Sequence, residues 1–141
     1  MDEKATVLVC VTAQQSSEKL IDAGRTIADE NTADLEVVSV LPIDGFDNRN
    51  NCEVLDRLHQ YAKSAGGDMA VYFSDDPTLT VAAHIAKTKP MLLVTGYPGE
   101  GSNGFISLIH LLLPELPISM IDGEKVYNIL PFESSQPVCK G

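Results

Sequence analysis

Short apolar runs alternate along this chain with longer segments in which apolar residues recur at helical spacing. The runs contain few polar residues, which is typical of parallel strands buried on both faces. In chain order the predicted strands are 6–12, 35–41, 69–73, 91–95, 118–121 and 125–130. Four strand–helix repeats and a final hairpin, with its turn at Asp122-Gly123, predict an open, mostly parallel sheet with helices on both faces and an antiparallel last strand.

The helices between these strands are predicted from apolar stripes and end signals. The predicted inward-facing residues are Leu20, Ile21, Gly24, Ile27 and Ala28, then Val54, Leu55, Leu58, Tyr61, Ala62 and Ala65, then Val81, Ala82, Ile85 and Ala86, and a fourth helix covers 105–113. Asp76 followed by Pro77 is a strong start signal for the third helix. Asn31 and Gly66-Gly67 are predicted to end the first two, and the polar segment 44–51 is predicted to be a turn or loop.

Length and charge narrow the class of protein. The chain has 141 residues, 20 of them acidic and 10 of them Lys or Arg, so its formal net charge is −10. This balance disfavours nucleic acid and anionic membrane surfaces as partners, and no apolar stretch approaches the about 20 residues that span a bilayer. Three cysteines without a C-x-x-C pair and an acidic start predict a reduced, cytoplasmic protein. We expect one domain over residues 1–130 and a loose tail over 131–141.

The main candidate for a binding site is the segment 96–104, which carries four glycines between a buried strand and an apolar helix. Glycines let a ligand approach the backbone closely, and the N–H groups at a helix N-terminus attract anions. The segment matches neither a Walker A loop nor G-x-G-x-x-G. Its one charged residue is Glu100, so a flexible connection is the competing interpretation. If the first and fourth strands are neighbours, this segment meets residues 12–17 at the edge where such sheets bind ligands.

No set of residues predicts a catalytic or metal site. His59, His84 and His110 fall on three different predicted helices, and none has a second ligand one turn away. Ser102 lacks the G-x-S-x-G context of a nucleophile, and Asp75-Asp76 is explained by the helix start. The sequence therefore predicts a protein that is not an enzyme and holds no metal.

The order and spacing of these motifs resemble the universal stress protein family. The resemblance rests on Val7–Thr12, the helix start Ser16-Ser17-Glu18, the turn Asp75-Asp76-Pro77, and Leu92–Gly96 with Gly99. The strings VLVCVT and SSEKLI are most similar to the stress-protein-type domain of potassium-sensing histidine kinases. The resemblance covers residues 5–121. It implies a flavodoxin-like, adenine-nucleotide-hydrolase-like fold with strand order 3-2-1-4-5, often dimeric through the last strand.

The resemblance also implies a nucleotide site, and this chain departs from its glycine motif. Many members bind ATP through Gly-x2-Gly-x9-Gly-Ser/Thr after the fourth strand. Gly96 and Gly99 match the first two glycines, and Thr95 precedes them. Gly104 takes the third position only if residues are missing from the spacer, and Phe105 then replaces the hydroxyl residue that contacts phosphate.

Two further positions complete the implied site. Thr12 stands where ATP-binding members carry an Asp after the first strand. Val40, at the end of the second strand, matches a position that contacts adenine through its backbone. The backbone part of the site is therefore expected to persist while most of its side-chain part is lost.

The sequence thus predicts a universal-stress-protein-like regulatory or binding module with a degenerate nucleotide- or anion-binding crevice. No cofactor is certain, and ATP or another adenine nucleotide stays an open ligand. We expect a homodimer formed through the C-terminal strands, and a protein partner is left open. The alternatives are a dimerisation or protein-interaction module without a ligand, and a genuine ATP-binding stress protein.

Overall fold

The computed structural model describes residues 5–11, 17–41, 49–96, 104–122 and 125–129. Strands and helices alternate strictly until the last two strands, as the sequence predicts. The elements are β1 (Thr6–Val11), α1 (Ser17–Glu30), β2 (Asp34–Leu41), α2 (Arg49–Ser64), β3 (Asp68–Phe73), α3 (Pro77–Thr88), β4 (Leu92–Gly96), α4 (Gly104–Leu112), β5 (Ile118–Asp122) and β6 (Lys125–Ile129). The predicted four strand–helix repeats and the final pair of strands are confirmed.

The six strands form one sheet in the order β3-β2-β1-β4-β5-β6. β1 lies inside the sheet, where its Val9 pairs in parallel with Val37 of β2 and with Val94 of β4. β5 and β6 pair antiparallel, with Ile121 opposite Val126. This confirms the flavodoxin-like order 3-2-1-4-5 with an antiparallel strand added at the end.

The sheet buries one apolar cluster on each face, because successive strand residues point to opposite sides. We call the cluster under α1 and α2 the first core, and its buried residues are Val7, Val9, Val11, Ile21, Ala28, Ala33, Leu35, Val37, Val54, Leu58, Ala62 and Val94. We call the cluster under α3 and α4 the second core, and its buried residues are Leu8, Val38, Val81, Ile85, Leu93, Ile106, Ile109, Leu116 and Ile118. The prediction of strands buried on both faces is confirmed for β1, β2 and β4 and is wrong for β3, where Val71 and Phe73 are exposed at the edge of the sheet.

Two glycines on the first-core side are required by geometry. A Cβ atom at Gly24 of α1 would lie 2.3 Å from Cγ2 of Val9, so α1 packs directly onto β1. Gly66 has φ +85°, the left-handed conformation that a glycine adopts without strain, and it follows the end of α2. The predicted end of α2 at Gly66-Gly67 is therefore confirmed.

The predicted start of α3 is also confirmed. Asp76 is the N-cap, with its carboxylate accepting a hydrogen bond from the backbone N–H of Leu79, and Pro77 is the first helical residue. The predicted inner stripe needs one correction, because Ala86 is exposed and His84 is buried instead.

One further prediction, the loop 44–51, is corrected, and two others concern residues that the structure does not describe. The predicted loop 44–51 is too long, since its last three residues already belong to α2, which begins at Arg49. The turn at Asp122-Gly123 and the tail 131–141 lie outside the described residues, apart from Asp122 itself. No helix in the described ranges is long and apolar enough to cross a bilayer.

Candidate functional site

The predicted crevice lies where β1 and β4 end side by side. Val9 pairs with Val94, and two residues further on β1 ends at Val11 and β4 at Gly96. The strand order reverses at this point. The sequence predicted a ligand crevice here if the first and fourth strands are neighbours, and they are. The N-terminus of α4 follows β4, and no acidic residue lies in its first turn. That helix end carries a partial positive charge and N–H groups that have no partner within the helix.

Three of the predicted site residues lie at the ends of strands. Val40 is the next-to-last residue of β2, pairs with Tyr72 of β3 and packs against the second core. Thr95 and Gly96 end β4, and Thr95 is buried. A Cβ atom at Gly96 would lie 3.7 Å from Cδ1 of Leu20, an ordinary contact. The described residues therefore leave room for a small side chain at Gly96.

Gly104 and Phe105 begin α4, at the position predicted for the end of the glycine segment. Gly104 is the first helical residue. Phe105 is partly buried and packs against the second core. An aromatic ring in that position anchors the helix to the sheet and offers no hydrogen bond to a phosphate. Of the other predicted site residues, Thr12 and Gly99 lie outside the described residues.

The cysteines and metal-binding residue types add no chemistry to the crevice. Cys10 lies on β1 and packs against the second core, and burial raises the pKa of its thiol to about 12. It is therefore a neutral thiol at physiological pH, without the thiolate that nucleophilic attack or metal binding needs. No group of three or more His, Cys, Asp or Glu within the described ranges is placed to hold a metal ion.

A buried polar network that the sequence did not predict lies on the second-core side of the sheet. The Tyr72 hydroxyl is 2.8 Å from Nδ1 of His84, and Nε2 of His84 is 3.2 Å from Oε1 of Glu36. The Tyr72 and His84 rings meet edge to face, with their centres 5.6 Å apart. The Nε2–Glu36 contact is not aligned as a hydrogen bond, so it acts as an electrostatic contact.

The network was missed because its members come from three separate elements: Glu36 from β2, Tyr72 from β3 and His84 from α3. The one signal in the sequence is the position of His84, three residues after Val81 and directly before Ile85. That places a polar ring on the buried stripe of α3, where it needs polar partners from the sheet.

A groove of about 460 Å³ lies beside this network, between α3 and the end of β3. Its lining residues are Tyr72, Ser74, Asp76, Leu79, Thr80, Ala83, His84 and Lys87. β3 is the last strand on its side of the sheet, and β2 separates it from β1. The groove is therefore centred two strands away from β1, next to Val40, the predicted crevice residue that pairs with Tyr72.

No family model matches this chain, and no curated protein matches it in sequence. Solved structures do match. A universal stress protein in complex with cAMP is similar over 86% of this chain and 98% of its own, with 18% identity and a TM-score of 0.61. UspA, a universal stress protein from Lactobacillus plantarum, is similar over 86% and 100%, with 13% identity and a TM-score of 0.69. The universal stress protein from Archaeoglobus fulgidus in complex with dAMP is similar over 84% and 97%, with 16% identity and a TM-score of 0.60.

These similarities establish the fold. The chain has the α/β fold of the universal stress proteins over most of its length, which confirms the resemblance drawn from its motifs at that level. The cAMP and dAMP are ligands of the two proteins that hold them. What this chain binds has to be argued from its own residues.

Proposed function

We propose that this chain is a cytosolic, non-enzymatic module of the universal stress protein type, whose crevice binds an anion or an adenine nucleotide weakly and through its backbone. The observation that carries the proposal is the position of Phe105. It packs into the second core at the start of α4, where the resemblance implies a hydroxyl contact to phosphate. The helix N-terminus at Gly104 remains available to an anion.

Simple energetics favour weak binding. A helix N-terminus contributes about 0.3–1 kcal/mol to a nearby negative charge. Each hydrogen bond to a charged group contributes about 1.5–3 kcal/mol, and about 1.4 kcal/mol is tenfold in affinity. Losing the hydroxyl contact at Phe105 therefore weakens phosphate binding by at least about tenfold.

The ligand class follows from the fold and from the missing contact. Two proteins of this fold hold cAMP and dAMP, which supports an adenine nucleotide as the class of ligand. A site without side-chain contacts to phosphate gains little from a triphosphate. We expect cAMP or AMP to bind this chain at least as well as ATP.

The test is the melting temperature of the full chain with millimolar ATP and magnesium, with cAMP, and with sulfate and magnesium as the anion control. A ligand at 100 times its dissociation constant adds about 2.7 kcal/mol, which raises the melting temperature by several degrees. We expect ATP to stabilise no more than sulfate does. A rise of several degrees specific to ATP contradicts the degenerate site and supports an intact one. No response to any of the three supports a module without a ligand.

A dimer through the C-terminal strands is the second part of the proposal. β6 is the last strand of the sheet, and its Val126 and Tyr127 side chains are 53% and 37% exposed. An apolar strand at a sheet edge pairs with another chain unless it is covered, and a two-fold partner offers the same strand. This supports a homodimer with β6 at its interface.

Light scattering of the unmodified chain tests the dimer, and a monomer at high micromolar concentration contradicts it. Val126→Pro and Asn128→Pro each remove a backbone donor from β6. Residues two apart on a strand direct their N–H groups to the same edge, so we expect the two substitutions to affect the dimer alike.

A further inference from the structure

The groove beside Tyr72 and His84 is open to solvent and has a polar group buried at its floor. It combines a volume in the range of small-molecule pockets with one deeply buried polar side chain, since His84 is only 6% exposed. One helical stripe forms its wall, because Leu79, Ala83 and Lys87 follow one another at four-residue spacing on α3. Tyr72 of β3 and Ser74 just after it line the opposite side.

Two side chains of the sheet hold the His84 ring from opposite sides. Oε1 of Glu36 lies 3.2 Å from Nε2, and the Tyr72 hydroxyl lies 2.8 Å from Nδ1. One hydrogen bond joins Tyr72 and Nδ1, and its direction depends on the tautomer of the ring. The Tyr72 oxygen still has a lone pair that can accept a hydrogen bond from a ligand.

Much of the hydrogen-bonding capacity at the N-terminal end of α3 is already used. The Thr80 hydroxyl donates to the backbone oxygen of Asp76, the Ser74 hydroxyl oxygen accepts from the Asp76 N–H, and Asp76 Oδ1 accepts from the Leu79 N–H. By contrast, the Lys87 ammonium has no ion pair or hydrogen bond within the described part of the chain. The strongest unused polar group is therefore the cation at the other end.

The groove consequently offers three kinds of contact in a fixed order along α3. Lys87 supplies a positive charge, the Tyr72 oxygen held by His84 supplies an acceptor one turn away, and Leu79 with Ala83 supplies an apolar wall. Leu79, itself 57% exposed, lies eight residues before Lys87, so the span is about 12 Å. A ligand that matches has an anionic head, a hydroxyl group next to it and an aliphatic tail.

We infer that this groove binds a small hydroxy acid, with its carboxylate at Lys87, its hydroxyl donating to the Tyr72 oxygen, and its aliphatic tail along Ala83 and Leu79. None of these contact residues is a predicted crevice residue, so the inference does not depend on the function proposed above. The chain then carries two ligand sites on one sheet, at different strand ends.

Three related probes test the inference on the unmodified chain by amide chemical-shift titration. 3-Hydroxyoctanoate has the charge, the hydroxyl and the tail, octanoate lacks the hydroxyl, and the methyl ester of 3-hydroxyoctanoate lacks the charge. We expect saturable shifts in α3 and β3 with 3-hydroxyoctanoate, and binding about 3- to 10-fold weaker for each of the other two. Equal binding of 3-hydroxyoctanoate and octanoate, or no saturable shift, overturns the inference.

Variants then assign the contacts. Tyr72→Phe should weaken 3-hydroxyoctanoate and leave octanoate unchanged, whereas Lys87→Met should weaken both acids and leave the ester unchanged. Lys63→Met is the matched control, since Lys63 is an exposed lysine in the last turn of α2 as Lys87 is in α3. Equal weakening by Lys63→Met means a general charge effect and contradicts the site. Amide spectra of each unliganded variant verify its fold.

Discussion

The two faces of the sheet bury different interiors. On the first-core side, α1 lies so close to β1 that a Cβ atom at Gly24 would overlap Val9, and the buried polar side chains that β2 and β5 direct to this face are the small hydroxyls of Ser39 and Ser119. On the second-core side, the buried cluster lies beside the polar pair Tyr72 and His84. The same side carries the helix with exposed leucines, including Leu111 at 73% exposure. The first face is built for packing, and the second face keeps polar and apolar groups in reach of other molecules.

This difference shows where changes to the chain should matter. Substitutions on the first face act through packing and should lower the free energy of unfolding. Substitutions around the groove act through hydrogen bonds and should change binding while lowering the free energy of unfolding less than a deletion in the first core does. The predictions below test that division, from the largest expected effect to the smallest.

The largest effect is expected for Leu58→Ala in α2. Leu58 is 1% exposed in the first core, and shortening a buried leucine costs about 2–5 kcal/mol because it leaves a cavity. Leu111→Ala on α4 is the control, with an expected change within about 0.5 kcal/mol. Urea unfolding measures both. Equal losses for the two variants would mean that the exposed leucine of α4 is buried in solution, as in an oligomer.

Gly24→Ala should destabilise the chain although alanine is the better helix former. The added methyl would lie 2.3 Å from Val9 Cγ2, and overpacking of this kind costs about 1–3 kcal/mol. The higher helix propensity of alanine offsets at most about 1 kcal/mol of that loss. Thr26→Ala, an exposed change on the same helix, is the control. A Gly24→Ala variant as stable as the control would show that α1 can shift away from β1.

Tyr72→Phe should lower stability by about 1 kcal/mol, because it removes a part-buried hydrogen bond and leaves His84 Nδ1 without its partner. The double variant Tyr72→Phe with Glu36→Gln should cost less than the sum of the two single changes, since all act on one imidazole. Urea unfolding of the four chains gives the coupling. Strict additivity would contradict a shared network.

The smallest effect concerns the contact between α1 and α2 at Tyr61. Its hydroxyl donates to Asp22 Oδ1 at 2.5 Å, and that hydrogen bond, with lesser contributions from burial and from the Asp22 and Glu18 charges, raises the pKa of Tyr61. The protonated hydroxyl makes the contact, so its contribution is complete below the ordinary tyrosine pKa of about 10 and is lost as pH rises through the higher folded value. Tyrosinate absorbance should show one late-ionising group that disappears in Tyr61→Phe. If the late-ionising group is still present in Tyr61→Phe, it belongs to another tyrosine and the prediction is wrong.

Local signals made much of this fold predictable. Strand positions follow from runs such as Val7–Val11, and the start of α3 follows from Asp76 and Pro77, because capping involves only neighbouring residues. The burial of His84 was not predictable in the same way. Its partners Glu36 and Tyr72 are brought to it by strand order, which no local pattern around His84 encodes.

The candidate crevice shows the same limit. The strand–helix pattern left the meeting of the β1 and β4 ends as a condition, the family resemblance implied it, and the pairing of Val9 with Val94 confirms it. The packing of Phe105 into the second core depends on how α4 sits on the sheet, which the glycine spacing does not specify. The sequence therefore predicted where the strand ends meet better than it predicted how the first residues of α4 pack.

The inner position of β1 has a consequence for synthesis on the ribosome. β1 is made before the other strands of this sheet, yet one of its two neighbours is β4, where Val94 pairs with Val9. At about 5–20 residues per second, β4 follows β1 after roughly 4–17 s. During that interval the most apolar strand of the sheet pairs with β2 alone and leaves its other edge open. During this interval the open edge of β1 can pair with another chain, and a chaperone that covers this edge would prevent it.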